Sequence, residues 1–366
     1  MKICCVFNYN PLYRYPIYQA MSNAFDCDFY FGDSVFESLK QFEPHELNGF
    51  KKYLHSKRCI KGFIWFSGIK PVFSRRYSHY ILTGDPNYLV NWLILLYASV
   101  FHKKVYCWCH GLKGVKTRRI VAQMQRKFFN SMDGIFMYNS YNIRFMQQAG
   151  IISPLYVIHN SLNTPVQSAL YEKMQSSDIY RKHFGNDNPV AIFIGRVQKR
   201  MKVQYLIDAL DLLKKRNVNV NAVIVGDYID GVDIRDLVNR KSLENQVWIY
   251  GASYDENVNS ELLYNAFACI APGTVGLTAI HALSYGTPCI THDNHSATGP
   301  EFESIIPGVT GDFFKEDDVE CLASVMEKWV KLSLECRDEI RKNCRGEVKK
   351  NWSISSQINL LKSVLR

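Results

Sequence analysis

The stretch AIFIGRVQKRMKVQYLIDAL, residues 191–210, decides the fold. It opens with an apolar run of strand length, continues through Gly195 and Arg196, and then carries leucine, isoleucine and alanine at helical spacing from Leu206. That pattern predicts a buried strand, a loop holding Lys199, Arg200 and Lys202, and an amphipathic helix over 204–215. A basic loop in that setting suits a diphosphate: glycine lets the backbone approach closely, arginine gives forked hydrogen bonds, and lysine supplies a point charge.

The alternation of strand and helix continues on both sides. Further strands are expected at 190–194, 221–225, 247–250, 268–271 and 288–291, with a second helix at 278–285. Before them, apolar runs at 2–7, 29–31, 80–82, 105–108, 134–138 and 155–158 repeat the pattern. This is an α/β chain with parallel sheets and crossover helices, arranged as two doubly wound units. The polar residues 166–188 read as loop-like and place a division there, giving domains 1–165 and 166–350, with 351–366 as a C-terminal helix. Ligands are expected at the carboxyl ends of the strands and in a cleft between the domains.

A chain of 366 residues with 47% hydrophobic content can bury two cores, and no repeat or low-complexity segment is present. The net charge is +10, and the first 165 residues carry all of the excess, with 20 Lys plus Arg against 8 Asp plus Glu. Clusters at 51–61, 75–76, 103–104 and 113–119 lie among aromatic residues and suit anionic phospholipid or a diphosphate-bearing acceptor, or simply a solvated basic face. Residues 88–101, the most apolar stretch, are too short to span a bilayer and are expected to form a buried helix. The eleven cysteines contain no C-x-x-C pair, which fits a reducing compartment. Asp26 and Asp28 are expected at the surface.

A second loop, PGTVGLTAIHALSYGTPCITHDN at 272–294, ends a strand and enters a short helix, with Gly273 and Gly276 flanking the entry. The amides of Val275, Gly276, Leu277 and Thr278 would face an anion, aided by the helix dipole. His281 follows one turn later, either to meet a sugar hydroxyl or as an ordinary helix residue.

With VIVGD, ending in Gly226 and Asp227, and VWIYG, ending in Gly251, these segments resemble a family 4 type glycosyltransferase, one of the group 1 glycosyl transferases of polysaccharide biosynthesis with GT-B architecture. The resemblance runs over nearly the whole chain. It implies two Rossmann-like domains facing across a cleft, a C-terminal helix returning to the N-terminal domain, and a donor site formed by the residues just named together with Gly195. Arg196 and a lysine would contact the donor diphosphate. The family's lysine position holds Met201 here, leaving Lys199 or Lys202 as its substitute. The family's paired glutamates fall on Gly273 and His281, so neither carboxylate is present; a later acid falls on Glu301 or Glu303. His110, at the end of YCWCHGL, resembles the histidine on the cleft floor, a role that competes with a purely structural one. Asn8, Tyr9 and Arg14 would face the acceptor.

The expected reaction is transfer of a sugar from a UDP- or GDP-linked donor, with retention and without metal or cofactor. The expected acceptor is a saccharide or a polyprenyl-diphosphate-linked saccharide in cell-surface polysaccharide, capsule or lipopolysaccharide synthesis. Nucleic acid is not an expected partner. The location would be cytoplasmic, with an anionic inner membrane face as a further partner. Two other readings stand beside it: a nucleotide-sugar epimerase on the same fold, and a non-catalytic nucleotide-binding or scaffolding module, favoured by the missing glutamates.

Overall fold

Five consecutive buried residues, Val190–Ile194, form the strand at the heart of the second half, and its neighbours explain why no polar residue interrupts it. A strand covered on both faces reads as a continuous apolar run. The computed structural model describes residues 1–366 except 34–39, 60–61, 113 and 115–117, so Lys61, Lys113 and Lys116 of the basic clusters lie outside the described residues. The described chain forms two compact units, Met1–Ser161 together with Ile354–Arg366, and Leu162–Ser353.

The first unit holds strands β1 (Lys2–Phe7), β2 (Asp26–Gly32), β3 (Phe50–Arg58), β4 (Ile64–Ser67), β5 (His79–Thr83), β6 (Lys104–Cys109), β7 (Gly134–Met137) and β8 (Leu155–Val157). Their spatial order is β4-β3-β2-β1-β5-β6-β7-β8. All pairings are parallel except β3 with β4. The second unit holds β9 (Val190–Ile194), β10 (Asn221–Val225), β11 (Val247–Gly251), β12 (Ala268–Ala271), β13 (Cys289–His292) and β14 (Gly311–Phe314) in the order β11-β10-β9-β12-β13-β14. Both sheets reverse direction of strand addition once, beside β1 and beside β9. In a doubly wound sheet that reversal opens a crevice at the carboxyl ends of the two diverging strands.

The helix Gln204–Lys215 follows its expected bounds, buries Leu206, Ile207, Ala209, Leu210 and Leu213, and ends on Lys214 and Lys215, whose charges complement its dipole. The last helix, Ile354–Val364, packs into the first unit through Ile354, Ile358 and Leu361 beside Ile17, Tyr18 and Met21.

Several expectations differ from the structure. The division falls after Ser161 rather than Pro165, and the stretch read as loop contains helices Thr164–Tyr171 and Ile179–Phe184. Strands β3, β4 and β14 were not expected. The helix Leu89–Val100 buries only one face: Val90, Ile94 and Ala98 are covered, while Leu96 and Val100 are 64% and 62% exposed. Asp28 is not a surface residue. It is 2% exposed and paired with Lys2, Lys51 and Arg76, and it also accepts a hydrogen bond from Tyr77.

Candidate functional site

At the reversal in the second unit, β9 and β12 diverge and their outgoing loops build a cavity of about 280 Å³. Gly195, Arg196, Gly226, Asp227, Leu277, Thr278 and His281 line it, seven of the expected donor-site residues. The floor is tight because neighbouring strands end in glycine. Gly195 N–H donates to the Val225 carbonyl, and Gly226 N–H to that of Gly251. A β-carbon on Gly226 would lie 1.8 Å from the Gly195 carbonyl oxygen, and its φ of +156° suits glycine.

The opposite wall is the start of the helix Leu277–Ser284. Thr278 Oγ1 donates to the Ile194 carbonyl at 3.3 Å, which ties the helix to the end of β9. Among the described residues the amides of Gly276, Leu277 and Thr278 meet no acceptor from the chain, the state of a helix start that awaits an anion. The Val275 amide is different: it donates to Thr298 Oγ1 at 2.8 Å and is spent. Gly273 also stands back from the cavity. Its N–H donates to the Met201 carbonyl, and a β-carbon there would meet the Arg200 carbonyl at 2.1 Å, so it holds the basic loop against β12.

Neither candidate lysine lines the cavity. Lys202, in the left-handed region at φ +48°, is paired with Asp317 and lies 3.6 Å from Glu316. Burial pulls its pKa down, but the carboxylate bonds outweigh that and raise it. Lys199 lies in the exposed turn and donates its amide to Asp230 at 2.6 Å. Of the two acids, Glu301 is buried with a carboxylate oxygen 3.9 Å from where a β-carbon on Gly276 would sit, while Glu303 is partly exposed. Gly251 closes β11 beside the floor without lining the cavity.

His281 has a partner that motif spacing could not reveal. Its Nε2 lies 3.1 Å from Glu256 Oε1, which also accepts from the Tyr285 hydroxyl at 2.7 Å and from Gln167 Nε2 at 3.2 Å. Glu256 opens the helix Glu256–Asn265, and only the fold brings it to His281. Tyr254, also unforeseen, lines the cavity with its hydroxyl donated to Asp227 at 2.7 Å.

The first unit has a cavity of its own, about 310 Å³, at the reversal between β1 and β5. Asn8, Tyr9, Arg14 and His110 all line it, so the four residues expected in this half converge. Asn8 is fixed by Thr83, whose Oγ1 accepts from its amide at 3.0 Å. His110 follows β6, its carbonyl accepts from Asn142 Nδ2 at 2.7 Å, and its ring lies 4.5 Å from that of Tyr138. Among the described residues no group of three or more His, Cys, Asp or Glu could hold a metal ion, and no helix is long and apolar enough to cross a membrane.

Comparison with known proteins adds the following. Residues 176–347 match the family model for glycosyl transferases group 1. A segment of 116 residues is 24% identical to an alpha-D-kanosaminyltransferase of Streptomyces kanamyceticus; it spans 31% of this chain and 30% of that relative, so less than a third of the relative's length is matched. Among solved structures, Anabaena Alr3699/HepE in complex with UDP has a TM-score of 0.73 at 16% identity, over 100% of this chain and 99% of that one. A glycosyltransferase from Rickettsia africae has a TM-score of 0.73 at 14% identity, over 100% and 98% of the two chains.

Proposed function

Starting from a GT-B fold whose residues 176–347 form a group 1 glycosyl transferase domain, we propose that this protein is a retaining, metal-independent glycosyltransferase that moves a sugar from a UDP- or GDP-sugar to a saccharide or polyprenyl-diphosphate-linked saccharide of the cell surface. One observation carries the reading: Arg196 and the unclaimed amides of Gly276, Leu277 and Thr278 belong to the loops that close one cavity at the strand reversal of that domain. Fixed donors of this kind stabilise charge as it develops on a leaving diphosphate, without reorganisation and without a metal. The departing diphosphate then takes the acceptor proton on the face from which it leaves, so configuration is retained and no enzyme nucleophile is needed.

The donor's ribose falls to His281. With Nε2 turned to Glu256, Nδ1 is the ring nitrogen left for a hydroxyl. The pair stands in for the absent carboxylate. Tyr254, 71% exposed and held by Asp227, offers a ring to the base.

An anionic membrane face is the proposed site of work. Between Asp85 and Asp133 the chain carries eight Lys or Arg and no Asp or Glu. The helices Leu89–Val100 and Arg119–Phe129 from this stretch meet through Trp92 and Phe128; the first exposes Leu96 and Val100, and the second exposes Ile120 together with Arg119, Arg126 and Lys127. Apolar side chains amid cations are the chemistry of interfacial binding.

A thermal-shift panel of UDP- and GDP-sugars tests the donor site. One compound should raise the melting temperature by mass action, and Arg196→Ala should abolish the rise. Incubation of that donor with mixed acceptors then separates transfer from isomerisation or binding without turnover. An unshifted panel, or an Arg196→Ala protein that responds like wild type, removes the reading.

A further inference from the structure

We propose that the cavity of the first unit receives an oxyanion group of the acceptor, a phosphate or a carboxylate, on the guanidinium of Arg14. The inference deepens the acceptor side of the glycosyltransferase reading and rests on it.

Among the described residues Arg14 is a cation without a counter-charge. Its guanidinium carbon lies 5.2 Å from the Trp108 ring centre, 5.0 Å from that of Tyr138 and 5.8 Å from that of Tyr13. Its Nη1 donates to the Tyr18 hydroxyl at 3.4 Å, the long end of the range, and the Tyr13 hydroxyl also takes part. Among the described residues no carboxylate comes within ion-pair distance; burial weighs against its charge, and Tyr18 and Tyr13 favour it. Aromatic faces attract the charge but accept none of its forked N–H donors in line. A partly buried guanidinium with most donors unused is costly until a ligand meets them.

A second, independent orphan lies in the same wall. Trp108 is 3% exposed, lines the cavity, and its indole N–H has no acceptor among the described residues. Buried donors are nearly always satisfied, and one left open beside a cavity points to an acceptor brought from outside. The guanidinium is also fixed in place. Arg14 immediately precedes the helix Tyr15–Ala24, which is anchored by buried Ile17, Tyr18 and Met21, so little ordering remains to be done on binding.

The cavity's carboxyl group, Asp85, does not oppose an anion strongly. Its Oδ1 accepts the Asn87 amide at 2.9 Å, and burial moves its pKa upward, toward the neutral form. A neutral saccharide presents hydroxyls that both give and accept. A fork of donors with a further N–H beside it selects a group that only accepts, which is a phosphate or carboxylate. The surrounding rings suit the flat face of an attached sugar or the first carbons of a prenyl chain.

Isothermal titration of the full chain tests this, with the nucleotide identified in the thermal-shift panel held at saturation so that the second unit's cavity is occupied. Farnesyl diphosphate serves as the prenyl-diphosphate probe, glucuronate as the carboxylate probe and methyl glucoside as the neutral control. At least one anion should bind; Arg14→Gln should weaken it about tenfold or more, Arg14→Lys by a smaller factor, and the neutral sugar should be indifferent to both. Binding confined to farnesyl diphosphate assigns a lipid-linked acceptor; binding confined to glucuronate assigns an acidic saccharide. Wild-type protein that binds neither anion overturns the inference, as does an Arg14→Gln protein of wild-type melting temperature with undiminished affinity. If Arg14→Gln melts early, Arg14→Lys carries the decision, and full affinity there overturns it too. Loss of the nucleotide response would instead sink the donor reading, through a readout that does not involve Arg14.

Discussion

At Glu256 the carboxylate gathers donors from three side chains. Burial alone would raise its pKa, but the hydrogen bond and charge of His281, with the Tyr285 hydroxyl and the Gln167 amide, override that and hold it at about 2, below the ordinary 4.5. A folded value below the unfolded one means stability that is fully present above about pH 4.5 and lost as pH falls toward 2. The side chain is 34% exposed, so screening trims the contribution to about 1–2 kcal/mol. Glu256→Ala should lower stability by about 1–3 kcal/mol at neutral pH and flatten its decline in acid. Urea titrations of both proteins between pH 2 and pH 5 measure this, and parallel curves would dissolve the Glu256–His281 pair as an electrostatic unit. Arg196 was legible because it follows a strand and a glycine in the sequence itself. Glu256 was not, because it lies 25 positions before His281 across unrelated pattern and only the fold brings the two together.

The helices Leu89–Val100 and Arg119–Phe129 allow a test of the membrane proposal. Leu96→Glu places a charge at the middle of the exposed stripe without touching the buried residues Ile94, Leu95 and Ala98. Co-sedimentation with anionic phospholipid vesicles should fall several-fold in that variant and should fall with salt in wild type. Indifference to both lipid charge and salt would remove the membrane from the account.

Elements with continuous apolar runs, such as β1, β9, β10 and β12, were readable to the residue because burial on both faces leaves little room for polar groups. The strand β3, FKKYLHSKR, buries only Leu54 and so reads as a basic patch. β14 is four residues long and follows a turn, too short for a period to show. In Leu89–Val100 the mean hydropathy hid the exposed face, since a helix apolar all round gives no moment from which to tell inside from outside.

For the molecule as a whole, the donor's proposed contacts lie entirely within Leu162–Ser353. Nucleotide at a hundred times its Kd should stabilise that unit by about 2.7 kcal/mol. Hydrogen exchange followed by mass spectrometry should then show core amides of β9, β10 and β12 slowed about a hundredfold where they exchange by global opening of the unit. Unchanged rates in those strands would move the nucleotide elsewhere.

The closing helix, Ile354–Val364, is made after the second unit yet completes the sheet whose strands come before that unit. While the chain is still emerging from the ribosome, β1 to β8 lack the apolar cover that Ile354, Ile358, Leu361 and Leu365 will bring, whereas the inserted unit already has every strand it needs. Maturation therefore runs against the order of translation: the later half can settle before the earlier one. A stop codon just before Ile354 would injure the part of the protein whose first strand was translated hundreds of codons before.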